Sequence, residues 1–99
     1  MKYKKKIPVF DFKIGNKEIE FVKDCLQTSF ISQGSYVKDF EKKFSNFVDC
    51  KYGITTTSGT TALHLACKTL GIRQGDQVLV SSSTNMASAF SVDYCGGIP

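Results

Sequence analysis

Ser58-Gly59-Thr60-Thr61-Ala62-Leu63 is the stretch from which the rest of the chain can be read. An apolar, strand-like run at residues 52–56 leads into it, and a helical pattern runs from it to about Leu70. Small polar residues at a strand-to-helix turn leave backbone N–H groups without partners. The start of a helix concentrates partial positive charge at the same place, so such a turn suits an anion, most often a phosphate. Gly59 has no side chain to keep a ligand from the backbone. The hydroxyls of Ser58, Thr60 and Thr61 each add hydrogen-bonding capacity. The plainer alternative is that Ser58 only caps a helix.

Outward from this turn the pattern is α/β. The helix after Ser58 carries Leu63, Ala66, Cys67 and Leu70 on one face, with Ala62 and Leu65 beside it. It is apolar nearly all round and is expected to be well buried. Gly71 is its stop signal, and Arg73-Gln74-Gly75-Asp76 is a polar turn. Val78-Leu79-Val80 is apolar without alternation, as in strands covered on both faces in parallel sheets. A second polar turn, residues 81–84, precedes a helix predicted from about Asn85 to Tyr94. Gly96-Gly97-Ile98-Pro99 reads as a helix stop and the entry to another strand. This βαβα order argues for a doubly wound sheet, whose ligands gather outside the carboxyl ends of the strands. The turns at 58–61 and 81–85 both fall at such ends.

Upstream, residues 1–14 read as an extended arm containing Pro8. Asn16 is the expected cap of a helix over about Lys17 to Thr28, with Ile19, Val22 and Leu26 at helical spacing. Ser35 is the expected cap of a second helix. Its apolar stripe of Val37, Phe40, Phe44, Phe47 and Val48 suggests core packing, and Lys38, Asp39, Glu41, Lys42 and Lys43 are assigned to solvent.

Composition narrows the function classes. The 99 residues suit one small domain or part of a larger one. The net charge of +4 comes mainly from Lys2, Lys4, Lys5 and Lys6, with no basic stripe and no nucleic-acid-reading motif, so no nucleic-acid partner is expected. No apolar run has the length of a membrane span or of a signal peptide's apolar region, so no membrane partner is expected. Cys25, Cys50, Cys67 and Cys95 form no CxxC pair and His64 is the sole histidine, which removes zinc spacing and points to no metal. Free thiols on apolar faces fit a reducing, cytoplasmic setting.

Three segments in order resemble the amino-terminal part of the DegT/DnrJ/EryC1/StrS aminotransferases, pyridoxal-phosphate enzymes of fold type I that aminate keto sugars. Ser32 to Phe44 resembles the family's S-x-G-x-x-V-x-x-F-E-x-x-F opening. Ser58 to Ala66 resembles its S-G-T-x-A-L-x-x-A phosphate loop. Leu70 to Val80 resembles its L-G-I-x-x-G-D-x-V-x-V turn and strand. Together they make the resemblance specific, over about residues 8–99.

The resemblance implies a fold class: the start of a fold type I large domain, a three-layer αβα architecture with a mostly parallel sheet, truncated after its second strand and following helix. Residues 1–14 would be an arm, 15–48 a helical segment, and 49–99 the incomplete beginning of the cofactor-binding domain. It implies pyridoxal 5'-phosphate, with Gly59, Thr60 and Thr61 at its phosphate and Asn85 against its ring. Many members carry an aromatic at that last position, and Asn85 departs from them. An amide plane can still cover a ring, and capping a helix is the competing role. The pattern gives His64 no catalytic role. It further implies a homodimer, a nucleotide-linked keto sugar as substrate and glutamate as amino donor. The Schiff-base lysine and the carboxylate at the pyridine nitrogen lie beyond residue 99 in the family, so no catalytic residue is expected here. Another fold type I chemistry, such as a lyase or desulfurase, and a non-catalytic phosphate-binding fragment are the alternatives. Two isolated apolar strands do not make a stable sheet, so the chain alone is expected to be unstable or aggregation-prone.

Overall fold

A computed structural model describes Pro8 and residues 10–99. The expected arm and the basic tip lie largely outside the described residues. The chain divides into two compact units, Met1–Lys38 and Asp39–Pro99. Four helices are described: α1 (Asn16–Thr28), α2 (Ser35–Phe47), α3 (Gly59–Thr69) and α4 (Ala87–Asp93).

In the first unit, α1 forms because Ile19, Val22 and Leu26 share a face. Its cap differs from expectation: Gly15 is the N-cap, and its N–H donates to Glu18 Oε2 at 2.8 Å. Asn16 is already helical. Ser29, at φ 61°, ends the helix in the left-handed region. Tyr36 donates to Asp24 Oδ2 at 2.9 Å, and its ring lies 5.4 Å from that of Phe21. The apolar face of α1 stays open, with no residue of the helix buried among the described residues.

Helix α2 begins at Ser35 itself, which is its first residue and not its cap. The Phe40–Phe44–Phe47 stripe is not a core here. Phe40 and Phe44 stack at 5.6 Å but remain half exposed, and Phe47 is 85% exposed. The covered positions are Val37 and Glu41, which are half-buried, and Ser45, which is buried. They stand four residues apart, one above the other on the helix. At Glu41 the cover is a close approach of the 53–55 segment, because a Cβ on Gly53 would lie 2.6 Å from the Glu41 carbonyl oxygen.

The core of the second unit lies where α3 packs on α4. Val92, 2% exposed, Cys95 and Ser91 are buried there, and Cys67 Sγ donates to Ser91 Oγ at 3.7 Å. Both helices end the same way. Gly71 and Gly96 have φ of 84° and 81°, and each sits in a paired closure of backbone bonds. Gly71 N–H meets Lys68 O and Ile72 N–H meets Cys67 O. Gly96 N–H meets Asp93 O and Gly97 N–H meets Val92 O. Gly71 therefore stops α3 as its sequence position suggests.

The sheet is where expectation and structure part. No strand forms among the described residues; residues 52–56 and 78–80 have no regular secondary structure. One parallel bridge joins Gln77 and Ile98, fixed by Val78 N–H to Ile98 O at 2.9 Å and Ile98 N–H to Asp76 O at 2.7 Å. That is the start of a right kind of pairing for a parallel crossover, with α4 between its two ends. Leu79 is fully exposed where burial on both faces was expected, and α3 has no buried residue where it was expected to be well covered. A strand exists only through its neighbours' N–H and C=O groups, and within these residues the neighbours are missing.

Two glycines give opposite expectations. Gly53→Ala should destabilise the protein by about 1–3 kcal/mol, since backbone and not a flexible side chain blocks the new methyl. A Cβ on Gly59 meets nothing within 4 Å, so Gly59→Ala should stay within about 0.5 kcal/mol of neutral. Urea-unfolding midpoints of the two variants test the contrast.

Candidate functional site

Ser58 enters α3 in extended backbone, at φ −162° and ψ 165°. Its Oγ accepts from Thr61 N–H at 3.3 Å, and Thr61 Oγ1 accepts from Ser58 N–H at 3.0 Å. The Thr61 hydroxyl donates in turn to Ser58 O at 2.8 Å. This is a reciprocal capping box with threonine in the place usually held by glutamate. Thr56 Oγ1 donates to Ser58 O at 3.0 Å and Thr57 Oγ1 lies 3.4 Å from Thr61 Oγ1, so the approach to the turn is also pinned.

These bonds separate the three residues expected at a phosphate. The N–H and hydroxyl of Thr61 are engaged within the turn. The N–H groups of Gly59 and Thr60 and the Thr60 hydroxyl have no hydrogen-bond partner among the described residues. Gly59 is exposed, Thr60 is half-buried, and the space over Gly59 is open. A turn closed on itself by Ser58 and Thr61, with adjacent backbone donors left free at a helix start, fits a phosphate group.

Asn85 stands at a separate turn, before α4. Its Oδ1 accepts from Ala87 N–H at 3.0 Å, and its carbonyl accepts from Ser88 N–H at 3.0 Å. The amide therefore supports the entry into α4, and it makes no hydrogen bond to the Ser58–Thr61 turn. His64 is half-buried, with its ring edge-on to Tyr94 at 5.6 Å. Its Nε2 is buried without a hydrogen-bond partner among the described residues. This matches a packed histidine. Among the described residues no group of His, Cys, Asp and Glu could hold a metal ion, and all four cysteines are free thiols. No helix of the described residues is long and apolar enough to cross a membrane.

Glu41 is the residue that sequence reasoning misplaced. Its Oε1 accepts from the backbone N–H of Thr55 at 2.8 Å and from the Thr55 hydroxyl at 2.9 Å. The backbone donor first, and the hydroxyl second, hold the carboxyl below its usual value against a small opposing effect of burial. A signal was present. Glu41 stands four residues after Val37 and three before Phe44, which puts it at the edge of the apolar stripe and not opposite it.

The family model for DegT/DnrJ/EryC1/StrS aminotransferases matches residues 13–99. The chain belongs to this family. GDP-perosamine synthase of Escherichia coli O157:H7 is 42% identical over 100 residues, an overlap covering all of this chain and 27% of that protein. GDP-perosamine synthase of Caulobacter vibrioides is 43% identical over 88 residues, covering 88% of this chain and 24% of that enzyme. The spore coat polysaccharide biosynthesis protein SpsC of Bacillus subtilis is 38% identical over 86 residues, covering 87% and 22%. The chain thus spans about a quarter of the length of the curated relatives it matches.

Two outcomes follow from the site's bonds. Ser58→Ala should lose about 1 kcal/mol of stability through its cap, read from the unfolding midpoint. Glu41 has a folded-state pKa below its unfolded value, so its stabilising effect is present above the unfolded pKa and is lost as pH falls through the lower, folded one. The Thr55 amide proton resonance should move in an acid titration with a midpoint below the ordinary glutamate value, and Glu41→Gln should abolish that step.

Proposed function

We propose that this chain is the amino-terminal part of a pyridoxal 5'-phosphate-dependent aminotransferase acting on a nucleotide-linked keto sugar, with glutamate as amino donor. The observation that carries the reading is the Ser58–Thr61 turn, where internal bonding leaves the Gly59 and Thr60 donors open in a family of aminotransferases. The names of the GDP-perosamine synthase relatives, and of a transaminase of Streptomyces venezuelae named for a dTDP-linked amino sugar, support a nucleotide-linked substrate. The 3-oxo-glucose-6-phosphate:glutamate aminotransferase of Bacillus subtilis supports glutamate as donor.

In this reading residues 49–99 begin the cofactor-binding domain of a fold type I enzyme and the active form is a cytoplasmic homodimer. Gly59 and Thr60 hold the cofactor phosphate through backbone N–H groups, with the Thr60 hydroxyl beside them. Thr61 keeps the turn closed. Asn85 lies against the ring while its Oδ1 stays on Ala87. The bound cofactor supplies the electron sink for amino transfer. The anchoring lysine and the carboxylate at its ring nitrogen come from sequence outside these 99 residues, since none of the described lysines or aspartates has the family position.

The test uses the full protein that carries this sequence. It should bind pyridoxal 5'-phosphate, with the absorbance of the bound cofactor, and form 2-oxoglutarate from glutamate beyond one equivalent per active site only when a nucleotide-linked keto sugar is present. Gly59→Pro is the informative variant. Proline is tolerated at the first position of a helix and suits the extended Ser58 before it, so α3 persists while one donor is removed. Cofactor affinity should fall by roughly tenfold, as for one hydrogen bond to a charged group. Unchanged affinity in Gly59→Pro would remove this turn from the cofactor site.

A further inference from the structure

The 53–55 segment is held from one side by α2. Gly53 lies against the Glu41 carbonyl so closely that no side chain fits there. Two residues on, Thr55 gives both its backbone N–H and its hydroxyl to one oxygen, Glu41 Oε1. Such charge-assisted bonds are the strong ones, and two donors converging on one oxygen fix direction as well as distance. Thr55 leads directly into Thr56, whose hydroxyl donates to Ser58 O, and Ser58 closes onto Thr61. Hydrogen bonds at Thr55 and at Thr56, joined by the peptide bond between them, thus connect a helix-borne carboxylate to the turn with the free donors.

We infer that Glu41 is a positioning residue for the anion-binding turn at Ser58–Thr61, acting through Thr55 without touching the ligand. The inference rests on the reading of that turn as the phosphate site. Backbone donors discriminate by direction, so a turn whose approach drifts presents the same N–H groups less well aimed. The remainder of a bound cofactor lies outside the reach of these bonds. Loss of Glu41 therefore falls on recognition of the phosphate and not on recognition of the ring. The lowered pKa of the carboxyl agrees, since it means the Thr55 donors favour the charged form.

The experiment uses the apo-form of the full protein, titrated by absorbance with pyridoxal 5'-phosphate and separately with pyridoxal, which lacks the phosphate. Thermal midpoints are recorded on the same samples. Glu41→Ala should weaken pyridoxal 5'-phosphate by roughly tenfold, the size of a lost charged hydrogen bond, and change pyridoxal by less than about twofold. Glu41→Gln keeps an acceptor oxygen and should restore part of the difference. Thr55→Val loses only the hydroxyl and should fall between Glu41→Gln and wild type. Where Glu41→Ala fails to fold, the other two variants carry the same comparison. A lowered thermal midpoint with an unchanged ratio of the two affinities would mean that Glu41 is only structural and would overturn the inference. A wild-type protein that binds both compounds equally would instead overturn the phosphate-site reading, and the role of Glu41 with it.

Discussion

A hydroxyl that turns inward organises the second unit. Thr61 answers the N–H and the carbonyl of Ser58 with one oxygen, and Ser58 answers the N–H of Thr61. Had Thr61 been an aliphatic residue, Ser58 N–H would need another partner and the first turn of α3 would loosen. Because the box is closed, the unsatisfied donors of the helix start are confined to Gly59 and Thr60. The same local closure sets where α3 begins, and the glycine at 71 sets where it ends. The length and direction of α3 then decide which of its residues meet α4.

What was legible in the sequence is what local bonding determines. The α3 start at Ser58, its stop at Gly71 and the Arg73–Asp76 turn, closed by Arg73 N–H to Asp76 Oδ2 at 3.0 Å, depend on residues at most five apart. The helices at 16–28 and 35–47 were legible from period alone, with their caps displaced by one position. Gly15 rather than Asn16 takes the cap because Glu18 can return to its N–H. Strands were not secured in this way. Residues 78–80 carry a correct strand composition, yet a ladder needs partners from distant sequence, and only Ile98 supplies one here. The expected sheet is not formed among the described residues, which hold a single parallel bridge, and the burial expected of Leu79 and α3 is absent with it.

Glu41 shows a second limit. A charged residue within a run of Lys38, Asp39, Lys42 and Lys43 reads as solvated, because most such residues are. Periodicity alone placed it at the edge of the apolar stripe, and only the partner on residues 53–55 reveals which edge is covered. For Asn85 the reverse holds. Capping and ring contact were competing roles in the sequence; the N-cap of α4 is Met86, and Asn85, one residue earlier, accepts from Ala87 N–H through Oδ1.

The open apolar faces then acquire a consistent meaning. Tyr52, Ile54, Leu65 and Leu70 line a groove between residues 52–56 and α3, and Leu70 is 81% exposed. A helix that is apolar nearly all round is stable only when most of its circumference is covered. The chain covers one side of α3 with α4, around Val92 and Cys95, and gives the other side to residues 52–56, which form no sheet ladder. Glu41 and Gly53 hold those residues at fixed distance from α2 even so. The position of residues 53–55 thus comes from a side chain and a missing Cβ, and not from sheet pairing. In the Asp39–Pro99 unit, the approach to the anion-binding turn is shaped before any sheet is formed around it.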